Sequence, residues 1–242
     1  MARKSKRQAQ ETRQHILDAA IKAFSERGVS ATSLNDIAAL AGVTRGAIYW
    51  HFKNKAELFN EILHTAYSNV RDFETEYQTK YPDNPLYVLT ETMIYILDAT
   101  VSNRQWRELM EIVFHKCEFV GEMALYQEVR SQLFDECYGR LEATLARCIA
   151  QGQLPATLHC RRAAIMLRAS MSGLMENWLF IPGSFDLQAD SRTLVFALID
   201  MLRMSPMLRC EQHDAPKPSD GVPRQRRSTF IPLYPLCANN HF

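Results

Sequence analysis

The sequence predicts an all-α protein of about nine helices, and three observations predict it. Through the first 204 residues, apolar side chains recur three and four apart, the spacing that keeps them on one helical face. Only 9 Gly and 10 Pro occur in 242 residues, and six of those prolines follow residue 205, so the body of the chain has little turn punctuation. No segment shows the apolar–polar alternation of a half-buried strand.

The elements follow in order. A first helix is expected from about Gln8 to Arg27, ended by Gly28, with Ile16, Leu17, Ala20, Ile21 and Phe24 on one face. Lys4, Lys6 and Arg7 ahead of it read as a flexible basic arm. Ser33 is a good N-cap for a short second helix, with Asp36 completing a capping-box-like pair. Leu34, Ile37, Ala38 and Ala41 supply its buried stripe, and Gly42 suits the left-handed residue at its end. Thr44 caps a third helix whose inward residues are Ile48 and Phe52 and whose outward ones are Arg45, Tyr49, Trp50 and His51. These three helices close a small head whose core must lean on its neighbour. A connecting helix at 54–79 carries Leu58, Phe59, Ile62, Leu63, Ala66 and Val70, and Pro82 to Pro85 break it. Helices at 86–101, 105–117, 122–151, 161–179 and 187–204 complete the set. Residues 210–242 hold five prolines and Arg224-Gln-Arg-Arg227 without helical periodicity, and read as a disordered tail. The expected organisation is a 1–53 head, a 54–209 domain and a 210–242 tail.

Two short helices, a glycine turn and an exposed basic-aromatic face make a helix-turn-helix, with the third helix built to enter a DNA groove. Arg45 sits just after the cap, near the end that reaches deepest, where its planar fork can bond guanine O6 and N7 together. Thr44 and Tyr49 can reach a phosphate or a thymine methyl. Tyr49, Trp50 and His51 are three flat side chains in a row, too many for one small face unless some meet a partner. Charge agrees. The net charge is only +1, but residues 1–60 hold 10 Lys/Arg against 5 Asp/Glu, while residues 61–208 hold 13 against 19.

Thr44-Arg-Gly-Ala-Ile-Tyr-Trp-His-Phe52, followed by Lys55, resembles the signature of the TetR family of bacterial repressors. Met1-Ala-Arg-Lys4, Glu11 to Ile16, Glu111 to Phe119 and Gly173 to Leu179 resemble its AcrR-like branch, repressors of multidrug efflux pumps, over roughly residues 1–209. The resemblance implies that Tyr49 and His51 lie against the DNA backbone and that Lys55 meets a phosphate. The expected DNA-binding set is therefore Ser33, Thr44, Arg45, Gly46, Ala47, Tyr49, Trp50, His51 and Lys55, within and just after the Ser33 to Phe52 motif. For Trp50, packing on the connecting helix stays open as the alternative.

In AcrR-like repressors the helices matching 86–101, 105–117, 122–151 and 161–180 enclose a large apolar cavity for bulky, often cationic, drugs. The resemblance makes Tyr67, Met93, Ile96, Met110, Phe114, Phe134, Cys137, Met166 and Ser170 the candidate lining. Methionines and aromatics suit such a cavity because they re-pack around different shapes, though each is equally at home in an ordinary core. Asp98 and Glu111 are candidate carboxylates for a cationic drug. Helices 161–180 and 187–204 are expected to pair two subunits through Leu174, Trp178, Leu194, Leu198 and Leu202.

The reading is a homodimeric, ligand-responsive repressor that binds a palindromic operator and is released by bulky apolar or cationic drugs, controlling a multidrug efflux operon. Its expected partners are double-stranded operator DNA, the small-molecule inducer and a second copy of itself. No cofactor or metal is expected. The six cysteines lack zinc-type spacing, and His115 and Cys117 lie about 200° apart around a helix. With no apolar leader and no run of 18 apolar residues, the expected setting is cytoplasmic, off the membrane. An activator or architectural DNA binder could use the same head. A lipid carrier or enzyme could use the same cavity, although no nucleophile–base–orienter set is evident.

Overall fold

A computed structural model describes the backbone of residues 2–117 and 124–210, with side chains for 7–117 and 135–210. Among the described residues there are nine α-helices: α1 (Ala2–Arg27), α2 (Leu34–Leu40), α3 (Arg45–His51), α4 (Lys55–Lys80), α5 (Pro85–Ser102), α6 (Arg104–His115), α7 (Ala124–Ala150), α8 (Cys160–Phe180) and α9 (Leu187–Met204). Side-chain caps mark most of their starts. Asn54, Asn84, Asn103 and Asp186 each accept a bond from a backbone N–H in the first turn that follows, and Pro85 occupies the first turn of α5, where no N–H is needed.

Helix α5 lies at the centre and packs on α4, α6, α7, α8 and α9. Its sequence explains the position. Leu86, Val88, Leu89, Met93, Ile94 and Leu97 are apolar nearly all round the helix, and Thr90 and Thr100 turn their hydroxyls back onto carbonyls four residues earlier. Helix α6 is one-sided by contrast, burying Trp106, Leu109, Met110 and Ile112. One continuous apolar core runs from Ile16 in α1 to Leu208. The head thus shares its packing with the rest, as its small size demands.

Two boundaries differ from expectation. Helix α1 starts at Ala2, not Gln8, so residues 2–7 extend the helix where a flexible arm was expected; Ala, Arg, Lys and Gln are strong helix formers. The packed chain also closes at Cys210, whose N–H donates to Thr157 O at 2.7 Å beside a Leu158–Arg209 bridge. The remainder of the expected tail, 211–242, lies outside the described residues. Among the described residues no helix is long and apolar enough to cross a membrane.

Candidate DNA interface and ligand-sensing side

The head presents its third helix outward. Ser33 and Asp36 form the full capping box at the start of α2, and Gly42 takes φ +67° at the turn, a conformation that disfavours a side chain. Thr44 Oγ1 accepts from Ala47 N and starts α3. Ile48 and Phe52 are buried, which leaves Arg45, Gly46, Tyr49 and Trp50 exposed. The Arg45 guanidinium rests 5.6 Å from the centre of the Tyr49 ring, holding both on one face. Trp50 is 73% exposed, edge-on to His51 at 4.6 Å, so packing on the connecting helix does not account for it. A Cβ on Gly46 meets nothing nearer than Thr44 Oγ1 at 3.9 Å. The fold has room for alanine there, and a helical glycine costs about 0.5–1 kcal/mol relative to it. Such a glycine permits close approach from outside. Partial burial, and then the charge of Arg13, hold the His51 imidazole below its ordinary pKa.

Behind this face, ionic contacts tie the head to α4 and α6. Arg13 Nη1 donates to Glu61 Oε1 at 2.7 Å and lies 5.0 Å above the Phe52 ring; that hydrogen bond holds the Glu61 carboxyl below its usual range. Lys55 Nζ donates to Val29 O, Ser30 O and Thr32 O at 2.8, 3.3 and 2.9 Å. From the other side, Lys116 Nζ donates to Ser25 O at 2.7 Å, and Lys116 O accepts from Val29 N at 2.9 Å. The loop between α1 and α2 is thus clasped by the first residue of α4 and by the residue that ends α6.

In the larger segment Met93 and Met110 are buried, and Ile96 and Phe114 pack at the edge of the same core. Cys137 and Ser170 are half-buried. Tyr67 is 38% exposed and meets Trp106 edge-on at 5.9 Å. A cavity of about 100 Å³ lies between α1, α4, α5 and α6, but none of these seven residues lines it.

Two family models divide the chain between them. "Bacterial regulatory proteins, tetR family" matches residues 16–62, and "MAATS-type transcriptional repressor, C-terminal region" matches residues 84–204. The HTH-type transcriptional regulator AcrR of Shigella flexneri is 56% identical over 209 residues, 86% of this chain and 97% of that one. The chain belongs to the TetR family. Solved structures agree. NalD, the secondary repressor of the MexAB-OprM multidrug efflux pump in Pseudomonas aeruginosa, superposes with a TM-score of 0.71 at 34% identity, covering 82% of this chain and 99% of that one. A complex of SmeT with triclosan gives 0.71 at 29% identity, covering 86% and 100%.

Three expectations for this TetR-family chain are corrected by its geometry. Lys55 is only 7% exposed, with its ammonium fully engaged by three carbonyls, so it braces the head and does not face a phosphate. Met166 is 42% exposed and lies on the outer side of α8, away from the core formed by Ala163, Ala164 and Leu167; it lines no interior chamber. Trp178 and Leu202 belong to the protomer's own core and cannot serve as contacts between subunits. Leu174, Leu194 and Leu198, the other expected contacts, are half-buried, and the exposed large apolar residues of α8 and α9 are Ile165, Met166, Phe180, Phe196 and Met204. Ser33 keeps its place at the start of α2, with its hydroxyl donating to Asp36 Oδ2 at 2.6 Å. Phe134 lies outside the residues whose side chains are described. Sequence reasoning missed Arg13 and Lys116 altogether. Each looks like any surface cation in one dimension, and only the partners 48 and 91 residues away reveal its role.

Proposed function

We propose that this TetR-family chain is a cytoplasmic repressor that binds a palindromic operator as a homodimer and is released by bulky apolar or cationic drugs, controlling a multidrug efflux operon. The observation that carries the reading is the division of the head into two sides. Arg45, Gly46, Tyr49 and Trp50 are exposed on α3, while the opposite side is held by the α1–α2 loop to both α4 and the end of α6. Arg45 reads base edges, and Thr44, Tyr49 and His51 set the register on phosphates.

The same clasp supports the regulatory half. Helix α6 carries Met110 in the core and Phe114 at its edge, and Lys116, which caps its end, meets Ser25 of α1 and Val29 of the loop. The His115 ring also meets Phe180 at the end of α8 edge-on at 5.7 Å. A drug that displaces α6 therefore pulls on the loop that positions α2 and on the root of α4. Two recognition helices must match major grooves roughly 34–36 Å apart, so a small tilt removes the fit. The drug must bind the mismatched arrangement more tightly, and a tenfold loss of operator affinity needs about 1.4 kcal/mol of such preference. NalD and SmeT, both repressors of multidrug efflux pumps, and the triclosan complex of SmeT support the regulated target and the ligand class.

A mobility-shift assay on the DNA upstream of this protein's own gene and of a neighbouring efflux operon, with and without a panel of cationic dyes, tests the proposal. The expected result is a discrete shift on one of these fragments that the dyes reverse. Equal affinity for random DNA would make the chain an architectural binder, and a dye-strengthened complex that raises transcription would make it an activator.

A further inference from the structure

The cavity between α1, α4, α5 and α6 is built from both sides of the joint between head and body. Its floor is apolar, since Leu17, Ile62, Trp106 and Leu109 are all buried. The Trp106 indole N–H already donates to Thr100 Oγ1 at 3.1 Å, so what the ring offers the cavity is apolar surface. Asp18 is the single charged side chain in the lining, and it is exposed. Gln14 donates to Asp18 Oδ1 at 3.0 Å, which leaves further acceptor capacity on the carboxylate.

Such a lining selects a flat apolar body with a positive end and disfavours anions. A dry apolar cavity of about 150 Å³ admits benzene, so a smaller, partly open one suits a single ring whose polar end stays at the mouth. We propose that this cavity is a second small-molecule site that takes a one-ring aromatic amine, its ring against Trp106 and its ammonium at Asp18. Its lining holds none of the residues expected to line the drug chamber, Met110 and Phe114 among them.

Occupancy reaches the head directly. Leu17 and Ile21 belong to α1, Trp106 and Leu109 to α6, and α4 lies between them. The α4 wall is also where Thr65 and Ser68 turn their hydroxyls back on the carbonyls of Glu61 and Thr65, an arrangement that bends helices. Gln14, Leu17 and Thr65 continue into a groove that reaches Trp50 and His51 at the end of α3.

The test is an NMR titration of the full chain with benzylamine. The expected result is a saturable shift of the Trp106 indole resonance, assigned through Trp106→Phe, with contacts from the ligand ring to the methyls of Leu17, Ile62 and Leu109. Asp18→Asn weakens benzylamine about threefold while leaving benzyl alcohol unchanged, because only the amine uses the carboxylate. Thr65→Phe, at an exposed position on the mouth, blocks both probes. Phe114→Ala, which alters the drug chamber, leaves benzylamine binding as it was. No saturable shift, benzoate binding as well as benzylamine, or ligand contacts confined to other residues would each overturn the proposal.

Discussion

Arg45 and Lys55 are ten residues apart in one basic segment, yet the fold gives them opposite work. Arg45 stands free on α3, and Lys55 is enclosed by three carbonyls of the α1–α2 loop. Arg45→Ala should lower affinity for the operator by about 1–3 kcal/mol and affinity for random DNA much less, as competition binding would read. Equal losses on both DNAs would reduce Arg45 to a phosphate contact. Lys55→Met removes a charged donor from three buried carbonyls and should lower stability by about 1.5–3 kcal/mol, or roughly 3–12 °C in Tm. The salt dependence of DNA binding should not change, because no phosphate contact is lost. His51 supplies a pH test. Burial and Arg13 keep its pKa low in the free head, and a neighbouring phosphate raises it in the complex. The complex then binds more protons than the free partners, so operator affinity should rise as pH falls from about 8 to about 6. His51→Gln should flatten that rise in an anisotropy titration at each pH. The role of Arg45 was legible because it follows a helix cap on an outward face. That of Lys55 was not, because its partners lie 23 to 26 residues earlier in sequence.

At the level of elements, periodicity and caps located the described helix ends to within a residue or two except at the start of α1; the expected start of α7 near residue 122 lies outside the described residues. The box at Ser33 and Asp36, the left-handed Gly42 and the Asn-Pro start of α5 are local chemistry, and local chemistry is readable in one dimension. Which face of a helix turns inward is less readable when both are apolar. In α8, Met166 and Leu167 are neighbours about 100° apart, one exposed and one buried, because Leu167 faces the packed neighbours of the helix and Met166 does not. The link from α6 to the head was likewise invisible, since it needs the end of α6 beside the last turn of α1, some 90 residues earlier. Lys116→Met tests it. Operator affinity without drug should stay near wild type, while the drug-induced loss of affinity should shrink by about 0.5–2 kcal/mol. An unchanged drug response would place the coupling elsewhere.

For the whole molecule, the decisive surface is the outward apolar face of α8 and α9. Phe196 is 50% exposed on α9, and Ile165, Met166, Phe180 and Met204 add to the exposed apolar surface of these two helices. A face of this kind marks an association site. Phe196→Glu places a charge in the proposed interface and should weaken the dimer by about 2 kcal/mol or more, giving monomers in light scattering at micromolar concentration. A dimer of unchanged strength would put the interface on another surface. The sequence assigned Leu174, Trp178, Leu194, Leu198 and Leu202 to this contact; Trp178 and Leu202 are buried in the protomer's own core, while Leu174, Leu194 and Leu198 are half-buried. Sharing of one core by head and body is what makes a drug in the body able to act on DNA at all. That coupling is the central claim, and linkage makes it measurable from the drug's side. The measurement is the dissociation constant of one inducing drug for the free protein and for the protein saturated with operator. Drug binding to the operator complex should be weaker, by the same factor by which the drug lowers operator affinity; equal drug affinity in the two states would rule the coupling out.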